Sequence, residues 1–342
     1  MHGRSPGEGD AADAAPPAQS RVSHRPIRAL PLRVGTRGSP LALQQTRAFL
    51  RRLVNFCPVL RDADAFAEEI IRTTGDRVQD RKLAEIGGKG LFAKEIHEAL
   101  LAARIDVAVH SLKDLETTLE EGVALACTLR REDARDALIL RPGLPTPDPA
   151  DPFAVLPRGA VIGTASVRRQ AQLLAVRPDL ACVLLRGNVE TRLAKVEAGE
   201  LDATLLAHAG LVRLGLQARA TLVLDPEGFV PAAGQGIVGV TVRSAEPELR
   251  ELLAAIEDPV AAAVSTAERS MLAALDGSCH TPIGGHAVIG PDGTLRLTGL
   301  IASEDGRFLV RRDIRGAPTE AARLGQALGA ELRALAPPSL FV

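Results

Sequence analysis

From Leu32 to Ala207 short apolar runs alternate with segments of helical period, and the runs end in polar or glycine-rich clusters. Alternation of that kind admits few folds: strands of a parallel or mixed sheet with helices on both faces. Leu32-Arg-Val reads as a short strand. Ser39-Pro40 then offers a capping hydroxyl and a proline at the first helical position. The helix expected over residues 41–53 would bury Leu43, Ala48 and Leu50. A strand follows near residues 69–73, and Gly87-Gly-Lys-Gly90 opens a second helix carrying Leu91, Ile96 and Leu100. Ile105-Asp-Val-Ala-Val-His110 is a buried strand whose end delivers His110, Ser111, Lys113 and Asp114.

Residues 142–152 are proline-rich and read as surface loop or hinge, and a second α/β block follows. It has strands at 161–165, 182–185 and 202–207, with helices from Ser166 to Val176 and from Val189 to Ala198, the latter stopped by Gly199. Ile237-Val-Gly-Val-Thr-Val returns to strand character, which suggests that the chain crosses back to its first block. Beyond it come a helix over 259–275, alternating strands around Pro291-Asp-Gly-Thr, and a closing helix over 318–335. That last part is a small α+β unit.

Ligands of open α/β sheets sit at the carboxyl ends of strands, which marks residues 110–114, 164–169 and 186–188. In Gly163-Thr-Ala-Ser-Val-Arg-Arg169 the hydroxyls of Thr164 and Ser166 open a helix whose first turn carries Arg168 and Arg169. Cations there oppose the helix dipole, so the pattern calls for an anion. Arg186-Gly-Asn-Val-Glu-Thr-Arg192 repeats the arrangement. Two such sites on one crevice suit a ligand with several carboxylates, which arginine forks bind in bidentate fashion. Gly234-Gln-Gly-Ile-Val-Gly239 matches a dinucleotide fingerprint only formally: a loop precedes it and a strand-like run follows, so it reads as a hinge or ligand loop. Asp114, beside Lys113 and among arginines, is a candidate catalytic carboxylate. Cys279, in the turn-rich Asp276-Gly-Ser-Cys-His-Thr-Pro282, would pass for an ordinary loop residue if it stood alone.

The bulk numbers exclude more than they select. The 342 residues, 46% of them hydrophobic, suffice for two or three cores, and a net charge of -1 gives no overall basic field for nucleic acid or a membrane surface. Cysteines at 57, 127, 182 and 279 form no CxxC and no ligand spacing. That argues against structural zinc and a disulfide framework and fits a reducing, cytoplasmic compartment; no metal is expected. No apolar run is long enough to span a bilayer. Residues 1–30 lack the apolar core of a signal peptide and carry Glu8, Asp10 and Asp13, so they read as a disordered tail.

Eight segments in order resemble the porphobilinogen deaminase (hydroxymethylbilane synthase) family, over Leu32 to the C-terminus. They are Thr36-Arg-Gly-Ser-Pro-Leu-Ala, Gly87-Gly-Lys-Gly-Leu-Phe, His110-Ser-Leu-Lys-Asp, Arg168-Arg-Gln, Leu185-Arg-Gly-Asn-Val, Ala209-Gly-Leu-Val-Arg-Leu-Gly, Gly234-Gln-Gly and Gly277-Ser-Cys-His-Thr-Pro-Ile-Gly. The resemblance implies two domains like type 2 periplasmic binding proteins with a cleft between them, plus a small C-terminal domain. The expected parts are 31–132 with 232–256, then 133–231, then 257–342 carrying the cysteine. It also implies a dipyrromethane cofactor joined by a thioether to Cys279, and a monomer that adds four porphobilinogen units head to tail with loss of ammonia. Water then releases hydroxymethylbilane. Asp114 would be the catalytic carboxylate. Cofactor contacts would come from Lys89, His110, Ser111, Lys113, Thr164, Ser166, Arg168 and Arg169, and substrate contacts from Arg37, Ser39, Arg186, Arg192 and Gln235. Glu85 stands where the family often has lysine, which removes one expected cationic contact. Glu116 in place of proline and Ala165 in place of serine alter loop shape more than chemistry.

The rival reading is a non-enzymatic binder of small anions on the same fold. Against a secreted binder stands the expected lack of a signal sequence, and against an effector domain the lack of a DNA-reading element. A third reading, a degenerate paralogue without catalysis, is disfavoured by the presence of both Asp114 and Cys279. The chain has no Trp and no Tyr. Its own aromatics should therefore absorb almost nothing near ~280 nm, and a strong band there in denatured, nucleic-acid-free protein would have to come from a bound group.

Overall fold

The computed structural model describes residues 2, 30–61, 64–78, 90–275 and 281–341. The tail expected over residues 1–30 falls almost wholly outside them, as do Lys89, Glu85 and Cys279.

Two five-stranded sheets share one plan. The first contains β1 (Leu32–Thr36), β2 (Phe66–Ile70), β3 (Val107–Ser111), β4 (Val123–Thr128) and β10 (Val238–Arg243), in the order β2-β1-β3-β10-β4. The second contains β5 (Asp136–Leu140), β6 (Val161–Gly163), β7 (Ala181–Val183), β8 (Ala203–Ala207) and β9 (Leu222–Val223), in the order β7-β6-β8-β5-β9. In each sheet one strand runs against its neighbours: β10 in the first and β5 in the second. Both odd strands are the ones entered directly from a crossing between the sheets. The chain leaves after β4 to insert β5, and returns after β9 to insert β10. This reciprocal exchange is the double crossing expected for the fold class, and it makes the two crossing segments a shared hinge.

Helices cover the sheets: α1 (Pro40–Phe56), α2 (Thr74–Arg77), α3 (Lys94–Leu101), α4 (Val167–Val176), α5 (Val189–Glu197), α6 (His208–Arg213) and α7 (Pro247–Ala254). Ser39 caps α1, its hydroxyl accepting from Ala42 N at 3.3 Å, with Pro40 at the first helical position as the sequence predicts. The buried face of α1 differs from expectation: it is Ala42, Gln45, Thr46, Phe49 and Leu53 rather than Leu43, Ala48 and Leu50. Two polar residues lie on that face because each finds a partner. Thr46 Oγ1 donates to Ala42 O at 3.0 Å, and Gln45 Nε2 donates to Ser111 Oγ at 2.9 Å. β2 lies three residues earlier than the 69–73 expected, because its partners Leu32 to Thr36 pair with Phe66 to Ile70. The helix expected to open at Gly90 begins only at Lys94, after a turn.

The third unit is an antiparallel meander, β11 (Ile283–Ile289), β12 (Leu295–Ala302) and β13 (Leu309–Gly316), packed against α8 (Pro259–Ala274) and α9 (Ala321–Leu335). Its core of Met271, Leu297, Leu328 and Leu332 continues without a break into Leu112, Leu115 and Ile237 of the first unit.

The hinge explains the Gly-Gln-Gly segment. Gly234 has φ +73° and its hydrogens face the backbone of Leu112 and Lys113; a Cβ there would lie 3.1 Å from Lys113 N. Gly236 has φ +85°, and a Cβ would lie 2.3 Å from Glu132 O on the opposite crossing. Both the conformation and the close approach demand glycine. Gly236→Ala should therefore destabilise the protein by more than about 1 kcal/mol, read as a lowered midpoint in urea unfolding. An unchanged midpoint would show that the crossings are not held at this distance.

Candidate active site

Asp114 is presented by a short 3-10 turn, Leu112–Asp114, at the end of β3. Leu112 and Leu115 are buried and pin the turn from below, so Lys113 and Asp114 are left at the cleft. Leu112 N also donates to Ile237 O at 2.9 Å, which ties the turn to the hinge. Opposite stands Arg37, just past β1. Its Nη1 lies 3.8 Å from Asp114 Oδ2, while Nε and Nη2 fork onto Asp76 at 2.5–3.2 Å. The guanidinium also lies over the Phe92 ring, 4.2 Å from its centroid. Burial pushes the Asp76 carboxyl up, but hydrogen bonds from Arg37 and Thr73 outweigh it and hold the group below its ordinary value.

Arg168 and Arg169 occupy the first turn of α4, as the sequence predicts, with Ser166 capping it through Arg169 N and Thr164 Oγ1 accepting from Ser166 N at 3.1 Å. The anion that this helix start calls for is in the chain itself. Asp136 at the head of β5 is fully buried and lies 2.8 Å from Arg168 Nη1 and 2.7 Å from Arg169 Nη2. Both guanidiniums are nearly buried and donate further to Val230 O and Leu205 O. Burial alone would raise the Asp136 carboxyl; the two arginines hold it far below the carboxylate range.

Gln235, also fully buried, links this cluster to the Asp114 turn. Its Nε2 donates to Ala134 O at 2.7 Å and Asp136 Oδ1 at 3.0 Å, and its Oε1 accepts from Lys113 Nζ at 3.3 Å. Gln235 is thus placed behind the cleft surface. His110 is placed likewise: its ring is buried, with Nε2 2.9 Å from Thr241 Oγ1 and the His97 ring at 5.7 Å. Burial, with His97 and Arg37 nearby, pushes His110 down to about 3, so it is neutral at neutral pH. Ser111 meets Gln45 instead of facing open solvent, and Ser39 is committed to its cap.

Arg186 and Arg192 come from the second unit. Arg186 Nη2 donates across the cleft to Gly75 O at 2.8 Å, and Arg192 Nε donates to Gly187 O at 2.8 Å. Burial, followed by the charges of Arg169 and Arg186 and opposed by Asp114, lowers Arg192 to about 10. Arg169 and Arg186 add to that burial, so cations crowd this part of the cleft around Asp114. The structure therefore brings Arg37, Lys113, Asp114, Arg169, Arg186 and Arg192 together, while Lys89 and Cys279 fall outside the described residues. Sequence reading missed Asp76, Phe92 and Asp136. Only Asp136 left a signal, a lone carboxylate heading the apolar run Ala137-Leu-Ile-Leu140.

Lys113 is exposed as a residue, yet burial of its ammonium pushes it from 10.5 down to about 8. Asp114 and Asp136 hold it up; Arg169 and Arg168 press it further down. Because only the neutral amine attacks, an amine-selective reagent should label Lys113 with a midpoint near pH 8, below the ordinary lysine value. Labelling that follows an ordinary lysine, read peptide by peptide, would refute the crowding.

Known proteins can now be set beside this geometry. Residues 32–251 match the family model described as porphobilinogen deaminase, dipyromethane cofactor binding domain, and residues 262–334 match the porphobilinogen deaminase C-terminal domain. A porphobilinogen deaminase of Syntrophobacter fumaroxidans is 46% identical over 88% of this chain and 94% of its own length. That of Paracoccus denitrificans is 48% identical over 91% and 96%. Among solved structures, YhfZ from Shigella flexneri aligns with 72% of this chain and 97% of its own at 19% identity and a TM-score of 0.35. The substrate binding protein of an amino acid ABC transporter aligns with 66% and 90% at 12% identity and a TM-score of 0.37. With both family models in register along nearly the whole described chain, and relatives near one-half identity over most of it, the chain belongs to the porphobilinogen deaminase family.

Proposed function

We propose that Asp114 is the acid–base carboxylate of a porphobilinogen-polymerising cleft, and that Cys279 anchors its dipyrromethane. The observation that carries this reading is the convergence of Arg37, Lys113, Arg186 and Arg192, from both units, around Asp114. The residues fit the group. Dipyrromethane carries several carboxylates and two pyrrole N–H groups, and this cleft offers surplus cations around one carboxylate acceptor. When bound, the group supplies the free pyrrole α-carbon onto which the chain grows.

In each cycle the C–N bond of a porphobilinogen aminomethyl group breaks, ammonia leaves, a C–C bond forms, and the attacking α-carbon loses its proton. Positive charge develops on the pyrrole as ammonia departs. Asp114, held beside Arg37 and in a site shielded by protein, is placed to accept the pyrrole N–H and stabilise that charge. Arg37, Arg186 and Arg192 bind acetate and propionate groups in bidentate geometry. Lys113 adds a point charge, positioned by Gln235. Arg168 and Arg169 reach a bound carboxylate only by sharing with Asp136, so they act chiefly through the field they project. Thr164 and Ser166 shape the α4 start, and Ser39, Ser111 and His110 support the cleft from behind; Lys89 adds a further cation.

The division into 31–132 with 232–256, 133–231 and 257–342 is supported by one sheet in each part. A cytoplasmic monomer without nucleic-acid or membrane partners accords with the net charge of -1. Among the described residues no helix is long and apolar enough to cross a membrane, and Cys57, Cys127 and Cys182 are free thiols.

Asp114→Asn should leave the fold intact and lower kcat by ~100-fold or more, the scale of a lost charge-stabilising group. Wild-type turnover in that variant would refute the assignment. Intact-peptide mass spectrometry should find a covalent increment on the peptide containing Cys279. Active protein with that peptide unmodified would refute the anchor.

A further inference from the structure

Arg269 belongs to α8 of the third unit, but its guanidinium is spent on the first. Nη1 donates to Leu115 O at 3.3 Å, and Nη2 donates to Glu116 O at 2.5 Å and Thr117 O at 3.1 Å. These are the carbonyls of three successive residues, and they begin directly after the turn that presents Asp114. Among the described residues no carboxylate forms an ion pair with Arg269. Burial alone lowers its guanidinium. A partly buried cation whose partners among the described residues are all carbonyls is costly to desolvate, and here one loop folds around it.

Three carbonyls converge on one planar fork only if the backbone of 115–117 curls. That curl fixes where the preceding residue, Asp114, points. The same loop is held from its apolar side by the third unit, since Leu112 and Leu115 pack in one core with Val264 and Met271 of α8. Glu268, the neighbour of Arg269, grips the hinge. Its carboxylate takes Arg131 Nη1 at 2.7 Å, Gly234 N at 2.6 Å and Ala287 N at 2.6 Å. Adjacent residues of one helix thus hold the hinge and the Asp114 loop, and that helix ends at Ala274, five residues before Cys279 in the sequence.

We propose that Arg269 is a positioning residue for the reaction: by clamping the carbonyls of Leu115, Glu116 and Thr117 it sets the Asp114 carboxylate in register with the cleft arginines. This rests on the reading of Asp114 given above. A purely structural Arg269 would affect stability without selectively affecting turnover. A positioning Arg269 affects kcat while substrate affinity, which resides in Arg37, Arg186 and Arg192, persists.

The test uses holoenzyme carrying Arg269→Met and Arg269→Lys. Cofactor load is read by intact mass, loop order by amide exchange of the peptide spanning 113–118, and kcat and KM with porphobilinogen. Displacing a reacting group by about 1 Å can cost roughly 100-fold. The expectation for Arg269→Met is accordingly a 10- to 100-fold loss of kcat, KM within ~3-fold, full cofactor load and faster exchange in the loop. Lysine keeps the charge but lacks the fork, so Arg269→Lys should recover only part of kcat; it also carries the test if the methionine variant does not fold. Wild-type kcat in a folded variant overturns the proposal, and so does a kcat loss matched by an equal loss of cofactor. Loop exchange unchanged from wild type overturns it as well. An active Asp114→Asn would instead overturn the reading of Asp114, while the exchange measurement would still report whether Arg269 orders the loop.

Discussion

The site depends first on one buried carboxylate. Asp136 heads β5, the strand that the first crossing inserts into the second sheet, and it carries the charges of Arg168 and Arg169 in the protein interior. A buried ion cluster of this kind adds little net stability over apolar packing, but breaking it leaves charges stranded at a cost of about 3–5 kcal/mol. What it secures is geometry. With both protons of its amide nitrogen directed to Ala134 O and Asp136, Gln235 has only its oxygen left to present to Lys113. The start of α4, the return crossing and the Asp114 turn are therefore fixed relative to one another by hydrogen bonds that leave no free orientation.

That arrangement also divides the positive charge into two classes. Arg168 and Arg169 are matched internally, and Arg37 is partly matched by Asp76. Among the described residues Arg192, reaching in from the second unit, and Lys113 from the first form no ion pair with a buried carboxylate, and burial together with the charges of Arg169 and Arg186 lowers Arg192. Charges facing one another across shielded space interact far more strongly than on an open surface. A ligand with several carboxylates relieves that repulsion at the place where Asp114 stands.

Most of the architecture was legible in the sequence because strands and helices alternate with clear apolar period and clear punctuation. Ser39-Pro40 and Ser166 mark helix starts that the structure keeps, and Gly234-Gln-Gly236 leads into a strand and not into the helix that a dinucleotide loop requires. Boundaries and faces were less legible. The buried face of α1 carries Gln45 and Thr46, whose partners are supplied by tertiary contacts or by the helix backbone, and an apolar count passes over them. In the site, positions at strand ends were legible; partners were not. Nothing local in Arg168-Arg169 says that its anion is 32 residues upstream in the same chain, and pairings such as Arg269 with the carbonyls of 115–117 leave no periodic trace at all.

The hidden pairings share one location. Asp136, Gln235, Gly236, Arg131, Glu268 and Arg269 lie where the two crossings meet the third unit, and each binds a segment distant in sequence. A junction built this way transmits position well because its members have few alternative partners: glycines at positive φ that cannot be replaced, and buried charges that cannot be left unpaired. The cleft arginines sit outside the junction, on strand ends and helix starts, where they can exchange a backbone carbonyl or water for a ligand carboxylate. The division of labour follows from burial. Groups that must not move are interior and mutually satisfied, and groups that must change partners lie at the rim. Asp114 stands on the boundary between the two, held from below by the junction and facing the cations above.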